Sequence, residues 1–166
     1  RAVALAADGR GPKTALQEVF RRALHYSFDI ELRRFAYKRD LNRQRISALT
    51  ILVMQAARDG DPIAHSILVE AGKELAKLGA NLAERLEVGK SPVPVSLVGG
   101  VARTNSPVVI SFQESIETTI PNAHYGAPRF EPWVGALILA LELENKTIKP
   151  EILEEISRGA ASTLGA

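Results

Sequence analysis

The sequence contains no cysteine and only one tryptophan, and its absences exclude several classes of protein. Without cysteine, these 166 residues form no disulfide, no thiolate nucleophile, no zinc–thiolate site and no cysteine-ligated iron–sulfur cluster. The sequence also lacks an apolar run close to the roughly 20 residues that cross a bilayer, and its first residues do not follow the pattern of a secretory signal. We therefore expect a cytoplasmic protein with no membrane partner.

Histidine is also scarce, and its three positions are far apart in the sequence. His25, His65 and His124 each lack a second histidine three or four residues away, which is the spacing that helical metal sites use. No serine lies in a GxSxG segment, the turn that presents a nucleophilic serine in hydrolases. We predict no metal site, and no motif of this kind marks a catalytic residue within this chain.

The residues that are present suit one globular domain. Hydrophobic residues make up 46% of the chain, enough for one substantial core. The net charge is only +2, but residues 1–45 contain eleven of the 21 basic side chains and five of the 19 acidic ones. Because few aromatic residues are interleaved with these charges, solvated helix faces explain them better than a nucleic-acid site does. We predict no nucleic-acid partner and keep nucleic-acid binding as an alternative.

The first 60 residues predict helices only. The alanine-rich start at Arg1 reads as the last turns of a helix already under way, so we expect the chain to be a fragment of a longer protein. Gly9 and Gly11 would end that helix, because glycine accepts a left-handed backbone. The signals for the next three helices are Pro12 at a first turn, Asp29 as a cap and Gly60 as a stop.

A long helix is predicted over residues 61–86, with Asp61 as its cap and Pro62 in its first turn. At about 1.5 Å per residue, 26 residues span about 39 Å, so the helix needs a large partner surface. Small residues along it predict close packing on a neighbour, or a homodimer interface. The face predicted to be buried contains Ala64, Ile67, Leu68, Ala71, Leu75, Leu78, Leu82 and Leu86. The small residues are Ala71, Gly72, Ala76, Gly79, Ala80 and Ala83.

The remaining third alternates strands and helices. The segment PVSLVGG predicts a strand that leads into Gly99 and Gly100, and Ser106 with Pro107 predicts the start of a helix. The segment HYG predicts a second strand, and residues 133–143 predict an apolar helix with Trp133 as a core anchor. Pro150 would open a last helix. The order strand, helix, strand, helix indicates an α/β unit with a parallel pair of strands.

The paired glycines have two interpretations. At the carboxyl end of a strand, glycine lets the backbone approach a ligand closely, and nucleotides favour this position in parallel sheets. The same pair also fits a plain turn between a strand and a helix, with no ligand.

Four segments, taken in order, resemble the BadF/BadG/BcrA/BcrD-type ATPase family, which includes N-acetylglucosamine kinases. They are DGRGPKTAL (8–16), AARDGDPIAHSIL (56–68), LVGGVAR (97–103) and GALILAL (135–141), and together they extend over nearly the whole chain. The resemblance implies an α/β fold: the carboxyl-terminal part of an actin-like, ribonuclease-H-like ATPase lobe, mostly helical and with few strands. Residues 1–60 would be an added helical subdomain, and residues 61–166 would be the lobe portion.

The resemblance also implies a binding site for ATP. Gly99 and Gly100 would form an adenosine motif that packs against the adenine and ribose, and Val101, Ala102 and Arg103 would follow on the loop. Arg103 would stack on the base or reach a phosphate, although a solvated charge at a helix entrance is the other interpretation.

The activity implied by the resemblance is that of an ATP-dependent sugar kinase acting on N-acetylglucosamine or a related amino sugar. The phosphate loops, the Mg²⁺ ligands and the carboxylate that orients the acceptor hydroxyl would lie before Arg1, so this fragment alone is expected to be inactive. The implied partners are its own amino-terminal lobe, ATP or ADP, and the sugar, which residues before Arg1 would mainly bind.

Two alternatives remain. An ATPase that activates a dehydratase or reductase would carry a cysteine-bound iron–sulfur cluster, and the lack of cysteine counts against it. In a non-catalytic helical interaction module, the paired glycines would be only a turn.

Overall fold

The structure is a computed structural model that describes residues 1–27, 31, 43–88, 92–102, 106–120, 122–128, 130, 132–144 and 153–155. Its helices are α1 (Ala2–Ala7), α2 (Leu16–Leu24), α3 (Arg43–Arg58), α4 (Pro62–Arg85), α5 (Pro107–Thr119) and α6 (Pro132–Leu143), and its strands are β1 (Val93–Val95) and β2 (Ala123–Tyr125). The helix predicted after Asp29 lies outside the described residues, and so does Pro150 at the predicted start of the last helix.

β1 and β2 pair in parallel, as the order strand, helix, strand predicts. Val93 lies opposite Ala123 and Val95 lies opposite Tyr125, and α5 is the crossover helix between the two strands. The Phe112 ring of α5 meets the Tyr125 ring edge-on, with centroids 6.3 Å apart. β1 is shorter than predicted, since it ends at Val95 and leaves Val98 exposed.

A first core cluster joins the front helices to the start of α4. Val3, Leu16, Ala56 and Ala64 are buried in it, one from each of α1, α2, α3 and α4. Gly9 and Gly60 have the left-handed backbone predicted for helix stops, with φ of +69° and +93°. The helical interpretation of these segments is therefore confirmed where they are described.

The start of α2 differs from its prediction. The helix begins at Leu16 and not at Pro12, and its N-terminal residue Ala15 has no capping side chain of its own. The backbone N–H of Ala15 donates instead to the carboxylate of Asp61, and the Thr14 hydroxyl donates to the same oxygen. The local sequence predicted that this helix starts at Pro12, but a long-range contact with Asp61 fixes its start at Leu16.

A second cluster joins α4, α5 and the strands. Ala76, Phe112, Ile116 and Ile120 are buried there, and Tyr125 packs against them. Phe112 and Ile116, four residues apart, lie on the face of α5 that packs in this cluster. Because Ala64 belongs to the first cluster and Ala76 to the second, α4 takes part in both. The division of the chain at residue 60 stays a prediction.

α4 buries Ala64 and Leu68 of the predicted apolar face, but the leucines in its last turns are exposed, which corrects that part of the prediction. Gly72 packs so closely on α5 that an added β-carbon would overlap the Ser111 hydroxyl and the Val108 carbonyl. Two helices can approach this closely only where the side chains between them are small. The buried residues of α4 are Ala64, Leu68, Gly72 and Ala76. Leu78, Leu82 and Leu86 are 66%, 55% and 64% exposed.

The predicted role of Trp133 as a core anchor is wrong. Trp133 is 50% exposed, whereas its neighbour Val134 is fully buried. Successive residues on a helix point about 100° apart, so the two side chains face different surroundings. Within the described part of the chain, we find no helix with the length and apolar character that a membrane span requires.

Candidate functional site: the Gly99–Ala102 turn

The paired glycines lie in a turn between β1 and α5. Gly99 has a φ of +116°, a left-handed backbone conformation in which a residue with a side chain would be strained. The Ala102 N–H donates a 3.0 Å hydrogen bond to the Gly99 carbonyl. Gly99 and Gly100 are exposed, while Val101 and Ala102 are half-buried. We call the segment from Gly99 to Ala102 the glycine turn.

Ser106 fastens the glycine turn to α5. Its hydroxyl donates a 3.2 Å hydrogen bond to the Val101 carbonyl and accepts one of 3.3 Å from the Val109 N–H. The second of these bonds is the N-terminal cap of α5, as predicted, and Ser106 is buried. One serine therefore sets the position of the turn relative to the amino end of the helix.

Both glycines leave open space beside the backbone. Among the described residues, no atom lies within 4 Å of a β-carbon built at Gly99 or at Gly100. Gly100 does not have a left-handed φ, so the turn geometry does not require glycine there. Open space of this kind beside Gly100 is what a ligand pressed against the backbone needs.

The carboxyl ends of the two strands are held together beside this turn. The Gly126 N–H donates a 3.0 Å hydrogen bond to the Val95 carbonyl, and the Ser96 hydroxyl donates one of 2.7 Å to the Gly126 carbonyl. These contacts continue the pairing one residue beyond β1 and β2. In parallel sheets, ligands bind in the crevice outside this end of the strands.

The amino end of α5 favours negative charge. Its backbone N–H groups and its dipole carry partial positive charge, and its first turn contains no acidic side chain. A phosphate near this helix end would meet favourable electrostatics.

The structure brings together four of the five predicted site residues. Gly99, Gly100, Val101 and Ala102 form the glycine turn, while Arg103 lies outside the described residues. Sequence reasoning treated Ser106 only as a helix cap and did not identify Ser96 or Gly126. Ser96 lies inside the segment PVSLVGG and Gly126 ends the segment HYG, so the sequence presented both only as parts of predicted strands.

Asp61 is a buried carboxylate with a structural role. Burial by itself raises the pKa of Asp61, but hydrogen bonds from the N–H groups of Ala64 and Ala15 and from the Thr14 hydroxyl outweigh it, so that the pKa lies below its ordinary value. Its oxygens are therefore engaged with donors that start two helices. Among the described residues, no three histidine, aspartate or glutamate side chains group as metal ligands do.

These features are typical of α/β proteins that bind a nucleotide at the carboxyl ends of parallel strands. The model of the BadF/BadG/BcrA/BcrD ATPase family matches residues 1–140. The chain belongs to this family of actin-like ATPases, which confirms the resemblance. Its few strands and many helices are compatible with the α/β class.

Two curated relatives are sugar kinases. The chain is 29% identical over 143 residues to the N-acetyl-D-glucosamine kinase of Dictyostelium discoideum, an alignment that spans 85% of this chain and 45% of the relative. It is 26% identical over 133 residues to the N-acetylmuramic acid/N-acetylglucosamine kinase of Clostridium acetobutylicum, over 80% of this chain and 44% of the relative. The chain thus spans less than half the length of these relatives.

Proposed function

We propose that the chain is the nucleotide-binding, carboxyl-terminal portion of an ATP-dependent sugar kinase that phosphorylates N-acetylglucosamine or a related amino sugar in the cytoplasm. The observation that carries this proposal is the open glycine turn at the end of β1, in a chain of an ATPase family with sugar kinases as relatives.

In this proposal the glycine turn holds the adenosine end of ATP. Gly99 and Gly100 let the backbone lie against the nucleotide, because no side chain of either residue occupies that space. Val101 and Ala102 continue the surface, and Arg103 would reach the base or a phosphate. Ser106 keeps the turn beside the amino end of α5, so that the site is formed before the nucleotide binds.

We assign no residue of this chain to the phosphoryl transfer itself. MgATP supplies the phosphoryl group, and catalysis of its transfer depends on positioning and on neutralising the phosphate charge. The proposed role of this chain is to hold one end of the nucleotide while an amino-terminal lobe closes over the phosphates and the sugar.

Exposed apolar side chains support a further packing partner, which we propose to be that amino-terminal lobe. Leu78 and Leu82 of α4 and Leu139 and Leu143 of α6 are between 55% and 84% exposed. α6 is apolar on nearly all sides, and helices of that kind are usually buried. A homodimer would be an additional way of covering these leucines.

The experiment is an ADP-release assay on the complete gene product that carries this chain, with Mg²⁺ and ATP. The acceptors are N-acetylglucosamine, N-acetylmuramic acid, glucose and none. We expect ADP only when an amino sugar is present. ADP without any acceptor would indicate the activator ATPase instead, and no ADP from a folded protein would favour the interaction module.

A further inference from the structure

The contact between α4 and α5 is tightest beside the first turn of α5. A β-carbon added to Gly72 would overlap the Val108 carbonyl oxygen and the Ser111 Oγ, and it would lie 3.0 Å from the Phe112 backbone nitrogen. Two of these three atoms are backbone and cannot move alone. Any side chain at residue 72 must therefore push the start of α5 away from α4.

A hydrogen bond fixes the same contact. The Ser111 hydroxyl lies 2.9 Å from the Val69 carbonyl of α4, and it also lies within hydrogen-bond distance of the Pro107 and Val108 carbonyls of its own helix. The bond to Val69 forms only while α5 lies against Gly72. Gly72 and Ser111 thus fix one packing arrangement of α4 and α5.

This packing contact lies next to the glycine turn along the chain. Val108, whose carbonyl rests on Gly72, is two residues after Ser106. Ser106 bonds the Val101 carbonyl on one side and the Val109 N–H on the other. A shift of the first turn of α5 would consequently move Ser106 and pull on Val101.

We propose that Gly72 is a positioning residue for the nucleotide site: its missing side chain seats α5 on α4, and the seated helix holds the glycine turn through Ser106. This inference rests on the proposed function for its effect on ATP, but the mechanical link is a property of the fold alone. Gly72 itself touches no nucleotide in this account.

The test compares Gly72→Ala with Gly79→Ala in the complete gene product. Both glycines lie on α4 and face α5, but among the described atoms a β-carbon at Gly79 would meet just Ile116 Cδ1, at 2.9 Å, which is the end of a flexible side chain. We expect Gly72→Ala to raise the KM for ATP about tenfold with the KM for the sugar unchanged. We expect Gly79→Ala to leave both KM values near those of the wild type.

A second pair of variants adds no volume and serves if Gly72→Ala does not fold. Ser111→Ala removes the bond to Val69, whereas Thr118→Ala removes a hydroxyl whose hydrogen bonds, within the described residues, go to the Glu114 and Ser115 carbonyls of its own helix. We expect a rise in the KM for ATP from Ser111→Ala alone, smaller than that from Gly72→Ala.

Hydrogen exchange without nucleotide separates this inference from the proposed function. Amide exchange in residues 96–106, followed by mass spectrometry, should be faster in Gly72→Ala and Ser111→Ala than in the two controls. If the wild type binds no ATP but exchange is still faster in these two variants, the link from Gly72 to the glycine turn is supported and the proposed function is rejected. Unchanged exchange and unchanged KM for ATP, in folded variants of an active kinase, would overturn the inference.

Discussion

Thr14 and Asp61 are 47 positions apart in the sequence, and the Thr14 hydroxyl donates a 2.9 Å hydrogen bond to the Asp61 carboxylate. The same carboxylate accepts from the Ala15 N–H at the start of α2 and, at 2.7 Å, from the Ala64 N–H at the start of α4. One side chain therefore fixes the amino ends of two helices that the sequence presents as separate elements.

Loss of this carboxylate should destabilise the fold. We expect Asp61→Ala to lower the free energy of unfolding by about 2–3 kcal/mol, because it removes a helix cap and two further hydrogen bonds at a buried position. Asp59→Ala is the matched control, since Asp59 is exposed in the turn after α3 and, within the described part of the chain, its carboxylate accepts a hydrogen bond from the Gln55 side chain near the end of that helix. It should change the free energy by less than about 0.5 kcal/mol. Urea unfolding measures the free energy of unfolding of both variants, and equal effects would contradict the interpretation that Asp61 stabilises the starts of two helices.

The stabilisation by Asp61 should also depend on pH. Its pKa is lower in the folded protein than the value of about 3.9 in an unfolded chain, so on acidification the unfolded state binds the proton first. The contribution of the ionised group is fully present above about pH 5 and is lost as the pH falls through the folded pKa.

Asp61→Asn makes this dependence measurable, because asparagine caps a helix without a charge. The difference in free energy of unfolding between wild type and Asp61→Asn should be largest at neutral pH and should shrink between about pH 5 and pH 3. A difference that stays constant or grows on acidification would show that the charge of Asp61 is not what stabilises this junction.

The contact face of α4 can be tested with one substitution at two positions. Ala76 is 2% exposed in the second core cluster, whereas Ala71 on the same helix is exposed. Ala76→Leu should destabilise the protein by about 1–3 kcal/mol through overpacking, and Ala71→Leu should change stability by less than about 0.5 kcal/mol. If thermal melts show that Ala71→Leu destabilises the protein more than Ala76→Leu, the buried face of α4 is the one predicted from the leucine pattern.

The nucleic-acid alternative predicts salt-dependent binding through the basic front half. Arg21 and Arg22 both form ion pairs with Glu18, and hydrogen bonds from these two arginines lower the pKa of Glu18 to about 2. A carboxylate shared by two arginines reduces the positive charge that they offer to phosphates. We expect the protein to pass through a DNA column at low salt, and retention that falls steeply with added salt would revive this alternative.

Sequence reasoning predicted the elements whose signals are local. Three predicted helix ends are marked by signals within two or three residues of sequence, and all three predictions were correct. They are the starts at Asp61 with Pro62 and at Ser106 with Pro107, and the stop at Gly60 after α3. The parallel strand pair also followed from element order alone.

The wrong predictions concern side chains whose environment is set by distant partners. The leucines of α4 matched a helical period, but α5 packs on the small residues beside them, and periodicity does not state which face a neighbour chooses. Thr14 and Ala15 offered no sign that Asp61 would bond them, because that contact depends on how two helices meet. The candidate site was predicted from the glycine pair and the family resemblance, whereas the contacts of Ser96, of Gly126 and of Ser106 with Val101 required coordinates.

The most direct test of the central claim is the affinity of the complete gene product for MgADP, measured by calorimetry in the wild type and in Gly100→Val. In the part of the chain that the structure describes, no atom lies within 4 Å of a β-carbon built at Gly100, and the position needs no left-handed backbone, so the variant should fold as the wild type does. Ala71→Val, at an exposed position of α4, controls for an unspecific effect. If the glycine turn holds the nucleotide, Gly100→Val should lose at least about tenfold in affinity, since the valine occupies the space that the ligand needs. An unchanged affinity for MgADP in a folded Gly100→Val variant would contradict the account.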